Sequence, residues 1–496
     1  MFRRTLIAAM AACAAVALAG CAAGAPEAPA SSNVRAEQGR PNIIVIMADD
    51  LGFADVSAYR KGRIPTPHID RLAQQGVLFT RGYVTAPICS PSRAGLMTGR
   101  HQQRYGFEYN NGPAARDFKE RLGLDTKEKT LGDLLKAGGY RTGVIGKWHL
   151  GAADEHYPTR RGFDEWWGFL TGQTNFIDPN APNAVNGAPV RPAGAAGGDL
   201  SNPAAVVNPL NAIITGPDRQ PVDLGQGFLT EQLTEQAIAF VDRSGDQPFF
   251  LYLAHHAPHT PLQVTRKYYD RFPQIADRES RVYAGMVSAL DDGVGQLMAH
   301  LERKGLAQNT LVVFLSDNGC AAYLDGICSD EPISGGKLTY LEGGVRVPFV
   351  AKWPAGLPAG RVYDAPVSSL DILPTALAAA GVPLPADRPY DGFNLLPYLN
   401  ARQAPARPAP LFWRTQPIRA VLDGDWKYYR DLDGVEHLYD LKRDPRERTN
   451  LAAAEPRRLA NMRALFERWE ADMVKPSWEA RFTEFDFGGR HFKFTP

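Results

Sequence analysis

The chain has 496 residues, which is enough for one large hydrophobic core and a smaller second domain. Its 55 Lys and Arg residues nearly balance 54 Asp and Glu residues, so the composition excludes the strongly basic surface typical of nucleic-acid-binding proteins. Hydrophobic residues make up 44% of the chain, as in an ordinary water-soluble globular protein.

The N-terminus has the features of an export signal. Arg3 and Arg4 precede an Ala-rich apolar segment that closes with Leu-Ala-Gly-Cys at residues 18–21. This tetrapeptide resembles the bacterial lipobox, in which the cysteine is lipidated after cleavage. We therefore expect a signal peptide at 1–20, then a lipidated Cys21 and a flexible tether at 21–40. The expected location is the periplasm or cell envelope, and a plain secretory signal is the alternative.

Short apolar runs separated by helical patterns indicate an α/β fold with a large, mostly parallel central sheet flanked by helices, over residues 41–400. No later apolar run is long enough to span a bilayer. The predicted buried strands are Ile43–Met47, Thr142–Ile145, Phe249–Leu253 and Leu311–Leu315. The predicted helices are Met286–Leu301, 229–241 and 370–380.

A smaller C-terminal α+β subdomain is expected over residues 401–496. Residues 401–410 resemble a linker, and alternating runs at Ile418–Leu422 and Trp426–Arg430 predict an antiparallel sheet followed by a helix at 456–473. Residues 176–226 are rich in Pro, Gly, Ala and Asn without periodicity, and they are expected to form a long functional or mobile loop.

Polar residues follow each of the four predicted core strands. In open α/β sheets, ligands bind beyond the carboxyl ends of the strands, so we expect these side chains to meet at one edge. They are Asp49, Asp50, Lys147, His149, His259, Asp317 and Asn318.

Four of these residues form an all-oxygen set. Neighbouring Asp49 and Asp50 would repel each other unless a cation or hydrogen-bond donors offset their charges, and with Asp317 and Asn318 they suit Ca²⁺ or Mg²⁺. The pair Asp291-Asp292 lies instead within the strongest predicted helix and is interpreted as structural.

Residues 89–100, Cys-Ser-Pro-Ser-Arg-Ala-Gly-Leu-Met-Thr-Gly-Arg, contain a predicted short helix. Ser90 is a good N-cap and Pro91 fits the first helical position, which would place Cys89 just before a helix N-terminus that favours anions. Arg93 adds a cation suited to a tetrahedral oxyanion. The alternative is an ordinary helix with an inert buried thiol.

This segment resembles the signature of the type I sulfatases of the alkaline phosphatase superfamily, Cys-x-Pro-Ser-Arg-x-x-x-[Leu/Met]-Thr-Gly. Gly-Lys-Trp-His-Leu-Gly at 146–151, Ala-Pro-His at 257–259, Gly-Gly-Lys at 335–337 and Glu-Gly-Gly-Val-Arg-Val-Pro at 342–348 resemble other blocks of that family. The resemblance implies that a formylglycine-generating enzyme converts Cys89 to formylglycine (3-oxoalanine). It also implies a cation, calcium rather than magnesium, bound by Asp49, Asp50, Asp317, Asn318 and the modified Cys89.

The resemblance further implies hydrolysis of a sulfate monoester to an alcohol and inorganic sulfate. Arg93, Lys147 and Lys337 would hold the sulfate oxygens, and Asp317 would accept a proton from the formylglycine hydrate as it attacks sulfur. His259 would protonate the leaving oxygen, and His149 would help to release sulfate. Glu342 and Arg346 are interpreted as scaffold ion pairs, and His101, His255 and His256 as structural or supporting residues.

Several alternatives remain open from the sequence. The chain could hydrolyse phosphate or phosphonate monoesters, or it could be an inactive lipoprotein that binds sulfated glycan. The substrate could be a sulfated small molecule or a glycan. Cys320 and Cys328 flank a short loop and could form a disulfide or remain thiols.

Overall fold

The structure, a computed structural model, describes residues 39–61, 63–112, 119–187, 211–401, 407, 409–479, 483–487 and 490–494. These residues belong to one compact unit that runs from Gln38 to Pro496. The predicted signal peptide, the predicted lipidation site and most of the tether lie outside the described residues, as do 188–210 of the predicted long loop and most of the predicted linker.

The strands and helices are numbered here in chain order. The strands are β1 (Asn42–Ala48), β2 (Val77–Phe79), β3 (Gly82–Tyr83), β4 (Arg141–Lys147), β5 (Glu165–Phe169), β6 (Ala184–Asn186), β7 (Ile214–Thr215), β8 (Gln220–Pro221), β9 (Phe249–Ala254), β10 (Gln263–Thr265), β11 (Thr310–Ser316), β12 (Phe349–Lys352), β13 (Arg361–Tyr363), β14 (Val367–Ser368), β15 (Leu411–Thr415), β16 (Ile418–Asp423), β17 (Trp426–Arg430), β18 (Glu436–Asp440), β19 (Thr483–Phe487) and β20 (Arg490–Phe494). The helices are α1 (Pro67–Gln74), α2 (Cys89–Thr98), α3 (Leu131–Ala137), α4 (Leu229–Ser244), α5 (Arg266–Tyr269), α6 (Arg278–Arg303), α7 (Glu342–Val345), α8 (Ile372–Ala380), α9 (Leu396–Asn400) and α10 (Pro456–Glu470).

The main sheet has the strand order β13-β2-β12-β11-β1-β9-β4-β5-β7-β8. Its centre, β11-β1-β9-β4-β5, is parallel throughout, and antiparallel strands join on both sides. The four predicted core strands are β1, β4, β9 and β11, each extended by one or two residues at one or both ends. The α/β prediction is therefore confirmed.

Both faces of β1 are covered by core. Ile43, Val45 and Met47 pack into one hydrophobic cluster, while Ile44 and Ile46 pack into a second. Successive side chains of a strand point to opposite faces, so a strand covered on both sides reads as a continuous apolar run. This explains why the short apolar runs identified the centre of the sheet.

The predicted helices are present with shifted ends. α6 begins at Arg278, eight residues before the predicted start at Met286, because the side chain of Asp277 accepts a hydrogen bond from the Ser280 N–H at 2.8 Å and caps the helix. α10 ends at Glu470, before the predicted 473. Apolar periodicity marks the packed face of a helix, whereas its ends depend on local capping.

The prediction for the start of α2 was wrong. The helix begins at Cys89, with Ile88 at the cap position, so Cys89 is its first residue rather than the residue before it. The Ser90 hydroxyl does not cap the helix, because its single hydrogen faces two other acceptors, Asn111 Oδ1 at 2.7 Å and the His149 carbonyl at 2.8 Å. Pro91 is still compatible with this helix start. Proline lacks a backbone N–H, and N–H groups of the first turn have no partner within the helix.

A separate four-stranded antiparallel sheet, β15-β16-β17-β18, forms the C-terminal part, and α10 packs on it. Trp413 on β15 donates from Nε1 to the Val84 carbonyl at 2.7 Å, which ties this sheet to the segment between β3 and α2. The predicted small antiparallel sheet is therefore confirmed.

The described parts of the long segment 176–226 contain short strands that the sequence did not predict. β6 pairs with β10, and β7 extends the main sheet beside β5. Such pairs of two or three residues are too short to show a two-residue periodicity. In the described part of the chain, no helix combines the length and the apolar character that a membrane crossing needs.

Candidate active site

The carboxyl ends of the central strands bring the predicted site residues together. Asp49 and Asp50 directly follow β1, Lys147 is the last residue of β4, and Asp317 directly follows β11. β1 lies between β9 and β11 in the sheet, and β4 lies beside β9. Residues from distant parts of the chain therefore meet at one edge, as the strand pattern predicted.

Asp49 lies at the centre of the cluster and is fully buried. Its Oδ2 accepts a hydrogen bond from Lys147 Nζ at 2.7 Å and lies 3.1 Å from His256 Nδ1. Its Oδ1 faces the Cys89 thiol at 3.6 Å. Burial alone would raise the pKa of Asp49, but the cations Lys147 and Arg93 hold it well below the usual range, so this carboxylate is ionised.

Asp50 forms a second buried centre of hydrogen bonding. Lys337 Nζ donates to both of its oxygens, at 2.7 and 2.8 Å, and Asn318 Nδ2 donates to Oδ1 at 2.7 Å. His259 Nε2 lies 3.6 Å from Oδ2. The backbone of Asp50 has a φ of 66°, a left-handed conformation that Asp tolerates better than most residues. This turn directs the side chain back toward the cluster.

Arg93 and Asp317 form a forked ion pair on the other side of Asp49. Arg93 Nε and Nη2 donate to Asp317 Oδ2 at 2.9 and 2.7 Å, and both side chains are fully buried. Burial, followed by repulsion from Asp49, raises the pKa of Asp317 to about 7. Asp317 can therefore exchange a proton near neutral pH.

Cys89 is the free cysteine of the described chain, at the first turn of the wholly buried helix α2. Lys337 Nζ donates to its Sγ at 3.3 Å, opposite Asp49. Burial raises the pKa of the thiol to about 12 in spite of Lys147 and Lys337. An unmodified Cys89 is therefore protonated and a weak nucleophile at neutral pH.

His149 and His259 reach the cluster from different loops. Burial, together with Lys147 and Arg93, lowers the pKa of His149 well below its ordinary value, and burial lowers the pKa of His259 to about 3. Both imidazoles are therefore neutral in this structure. On an extended strand Lys147 and His149, two residues apart, would share a face, but β4 ends at Lys147 and His149 has a φ of 55°. A turn, and not strand alternation, places His149.

Potential ligand atoms of the cluster lie close enough together to hold a metal ion, and its carboxylate oxygens suit a hard divalent cation. Ligand atoms of Asp49, Asp50, Cys89 and His259 lie within 4.8 Å of one another. Among the described residues, the Oδ1 atom of Asn318 is buried without a hydrogen-bond partner, although its Nδ2 is satisfied. Burying an unpaired carbonyl oxygen is costly, and a bound cation would satisfy it.

Other candidates from the sequence have structural roles, as interpreted. Asp291 on α6 accepts hydrogen bonds from the backbone N–H groups of His68 and Ile69 at the start of α1. The ring of His101 packs edge-on against Trp469, at 5.1 Å between centroids. Glu342 accepts a hydrogen bond from Lys427 at 3.0 Å.

Two residues that contact the central carboxylates were not among the predicted site residues. His256 lies against Asp49, and Tyr323 donates from its hydroxyl to Asp50 Oδ2 at 3.2 Å. His256 belongs to the cluster His-His-Ala-Pro-His, so its neighbourhood was a signal, but the family pattern selects only the last histidine. Tyr323 lies in the loop that the Cys320–Cys328 disulfide closes, and no sequence pattern marks it.

Comparisons with known proteins identify the family. Residues 41–382 match the Sulfatase family, and residues 336–470 match the family described as N-sulphoglucosamine sulphohydrolase, C-terminal. The chain is 34% identical to N-acetylgalactosamine-6-sulfatase of Canis lupus familiaris over 78% of this chain and 71% of that protein. It is 31% identical to steryl-sulfatase of Homo sapiens over 84% of this chain and 85% of that protein.

Solved structures give the same result. The crystal structure of Ps i-CgsB superimposes with a TM-score of 0.77 at 34% identity, covering 88% of this chain and 94% of that one. The phosphonate monoester hydrolase of Agrobacterium radiobacter, at 23% identity and a TM-score of 0.62, shares the fold over 88% of this chain and 96% of that one. With the family match, this chain belongs to the sulfatase family of the alkaline phosphatase superfamily and is a sulfuric ester hydrolase.

Proposed function

We propose that this sulfatase hydrolyses sulfate monoesters with formylglycine made from Cys89 and with a bound Ca²⁺. One observation carries the proposal: Cys89 is fixed at the first turn of buried α2, between Asp49 Oδ1 and Lys337 Nζ. The thiol itself is a poor nucleophile there, because its pKa is raised to about 12 by burial. Conversion of Cys89 to formylglycine would therefore give this position a better nucleophile.

Formylglycine and calcium would supply distinct chemistry. Formylglycine, as its hydrate, supplies an oxygen nucleophile for sulfur. Calcium supplies positive charge that offsets the charge developing on the sulfate oxygens. The residues that would hold the cation are Asp49, Asp50, Asp317 and Asn318, together with the modified Cys89.

The remaining side chains provide positive charge. Arg93, Lys147 and Lys337 are cations that converge on the carboxylates around Cys89, and they can hold the oxygens of an incoming sulfate. Fixed donors in a buried site stabilise developing charge more strongly than water does. Because these cations already pair with Asp317, Asp49 and Asp50, their side chains are ordered before substrate arrives.

Three groups are proposed to move protons. Asp317 would take up a proton at a carboxylate oxygen, and burial and the repulsion from Asp49, which raise its pKa, favour that step. His149 is neutral and can accept a proton on its ring. His259 Nδ1 lies 2.6 Å from the Thr260 carbonyl and so carries the hydrogen of the neutral ring. Nε2 would take up a second proton, which the negative charge of a bound sulfate ester favours, and would then deliver it to the leaving oxygen.

We propose a sulfated glycan as the substrate class. Ps i-CgsB, at 34% identity, has also been solved in complex with k-i-k-neocarrahexaose. The match of residues 336–470 to the C-terminal region of N-sulphoglucosamine sulphohydrolase points in the same direction. Release of sulfate from a neocarrahexaose, an N-acetylgalactosamine 6-sulfate and a steryl sulfate would be compared. Preference for the steryl ester would contradict this choice.

We also propose that the protein is exported and anchored through a lipid on Cys21. The support is the basic start, the apolar segment and the Leu-Ala-Gly-Cys sequence at 18–21. A sulfated polysaccharide meets the outer surface of a cell, so an envelope enzyme suits this substrate class.

The decisive experiment combines mass spectrometry with paired assays. The protein would be produced in its own host or with a formylglycine-generating enzyme, and the tryptic peptide 82–93 examined. We expect a mass change equal to the loss of H₂S and the gain of one oxygen, with faster hydrolysis of an aryl sulfate than of the matched aryl phosphate. Greater efficiency on phosphate would instead indicate a phosphomonoesterase or phosphonate monoester hydrolase. A wholly unmodified thiol without hydrolysis would indicate an inactive glycan-binding protein.

A further inference from the structure

His256 contacts the site on the side of Asp49 away from Cys89. It follows β9 and is fully buried. A carboxylate oxygen can only accept a hydrogen bond, so His256 Nδ1, at 3.1 Å from the ionised Asp49 Oδ2, carries a hydrogen and donates it. His256 is therefore the tautomer that carries its hydrogen on Nδ1.

The other ring nitrogen is fixed by the backbone of Thr174. His256 Nε2 lies 3.3 Å from the Thr174 nitrogen and 3.1 Å from its carbonyl oxygen. Thr174 is itself held, because its hydroxyl donates to the carbonyl of Asn211 at 2.8 Å. Asn211, the first described residue after 188–210, thus contacts the residue that supports His256.

Aromatic packing fixes the plane of the ring. Phe176 stacks on the imidazole at 4.6 Å between centroids with an angle of 7°, and His259 stacks on it at 5.0 Å with an angle of 28°. Phe169 packs edge-on at 5.0 Å. The ring is therefore held in its plane by packing and at both of its nitrogens by polar groups.

The consequence concerns the orientation of Asp49. Lys147 and His256 both donate to Oδ2, so rotation of the carboxylate is restricted and Oδ1 remains directed toward Cys89. Lys147 is also proposed to contact the substrate sulfate, and it can leave Asp49 when substrate binds. His256 has no such second role, because its other nitrogen is already bound to Thr174.

We propose that His256 is a positioning residue that holds Asp49 in the orientation needed to bind the divalent cation. This inference depends on the proposed function, because it assumes that Asp49 is a calcium ligand. It links Thr174, which lies just before the segment 176–226, to the proposed metal-binding carboxylate. Residues that orient metal ligands in this way commonly alter metal affinity by about 10–100-fold when they are removed.

Two substitutions separate hydrogen bonding from packing. His256→Phe keeps a ring that can stack on Phe176 but removes the donor to Asp49. His256→Asn places an amide nitrogen as many bonds from the backbone as Nδ1, and so keeps that donor while losing the ring. If the hydrogen bond to Asp49 orients the carboxylate, His256→Asn should retain more calcium affinity than His256→Phe. If ring packing is what matters, His256→Phe should retain more.

The measurement is calorimetric titration of the chelator-treated full chain with CaCl₂. We expect His256→Phe to weaken calcium binding by about 10–100-fold and His256→Asn to stay close to the parent protein. Saturating calcium should restore part of the hydrolytic activity of His256→Phe, which a general folding defect would not allow. His256→Leu, which also lacks a donor, replaces the Phe variant if that variant does not fold.

His255→Asn is the matched control. His255 is also buried, and within the described part of the chain neither of its ring nitrogens has a hydrogen-bond partner. Its substitution should leave calcium affinity unchanged. His256→Phe binding calcium like the parent, or His256→Asn binding calcium no better than His256→Phe, would overturn this inference alone. A parent protein that binds no calcium would overturn the proposed metal site and this inference with it.

Discussion

At the scale of single residues, the site is a balanced set of buried charges. Asp49, Asp50 and Asp317 each have a cation at 2.7 Å, and Arg93 also lies 3.6 Å from Asp49. Buried ions are tolerated when they are paired and hydrogen-bonded, and removing one partner leaves an uncompensated charge. Substitutions here should therefore affect both the order of the site and its chemistry.

Arg93→Lys tests the forked contact with Asp317. Lysine keeps the positive charge but offers a single ammonium group instead of the two donors that reach Asp317 Oδ2 at 2.9 and 2.7 Å. We expect kcat/KM for an aryl sulfate to fall about 10²–10³-fold. Arg104→Lys is the matched control, because Arg104 forms a similar fork with Asp391 outside the site and should retain activity. Equal losses in both variants would contradict the assignment of Arg93.

His259→Ala tests the proposed proton donor through the leaving group. A poor leaving group needs protonation, so hydrolysis of an alkyl sulfate should slow about 10²–10⁴-fold, while that of an activated aryl sulfate should slow much less. Steady-state kinetics with both substrates measure the difference, and His255→Asn serves as the unaffected comparison. The same loss for both substrates would show that His259 does not act on the leaving oxygen.

At the scale of elements, contacts between segments far apart in sequence hold the parts of the site in place. Lys427 on β17 reaches Glu342 at 3.0 Å and Glu447 at 3.1 Å, and Glu342 is the first residue of α7. Lys337, which binds Asp50, lies five residues before α7. The C-terminal sheet therefore supports the segment that carries one of the proposed sulfate-binding cations.

Glu447→Gln tests this network through pH. Burial, followed by the attraction of Lys427 and the repulsion of Glu342, results in a pKa of about 7 for Glu447, above the ordinary value of 4.5. Because its pKa is raised in the folded protein, Glu447 binds protons more tightly in the native state than in the unfolded state. The stabilisation that results is fully present below pH 4.5 and is lost as the pH rises through about 7. Glutamine does not titrate and does not lose this stabilisation. The free energy of unfolding of the variant should therefore rise by about 1–3 kcal/mol relative to that of the parent between pH 5 and 8.

Denaturant unfolding at several pH values would measure this difference. Glu467→Gln, at an exposed position on α10, is the control. Its free energy of unfolding should depend on pH in the same way as that of the parent. A Glu447→Gln curve that also runs parallel to the parent would contradict the buried, proton-binding role of Glu447.

At the scale of the whole molecule, the C-terminal sheet docks on the catalytic region through polar and aromatic contacts. Arg414 on β15 donates from Nε to Glu108 at 3.1 Å, and Arg407 pairs with Asp371 at 2.6 Å. Arg407 lies within the predicted linker 401–410, and Arg414 lies shortly after it. Buried ion pairs therefore hold the C-terminal part of the chain against the catalytic region.

Anchoring is the prediction that concerns the entire chain. Cys21→Ala should release the exported protein from the membrane fraction, because the lipid would be lost while the basic and apolar parts of the signal remain. Fractionation with activity measurement tests this outcome. Cys13→Ala, within the predicted signal, is the control and should stay membrane-bound. A parent protein found free of the membrane would favour the plain secretory signal.

The amino-acid sequence by itself determined the fold class, the four central strands and the residues that follow them. Strands buried on both faces read as apolar runs, and their carboxyl ends must meet at one edge of a parallel sheet. Only the tertiary structure decided which carboxylate pairs with which cation, where α2 begins, and that His256 supports Asp49. These features depend on contacts such as that between Arg93 and Asp317, 224 residues apart, which no local pattern encodes.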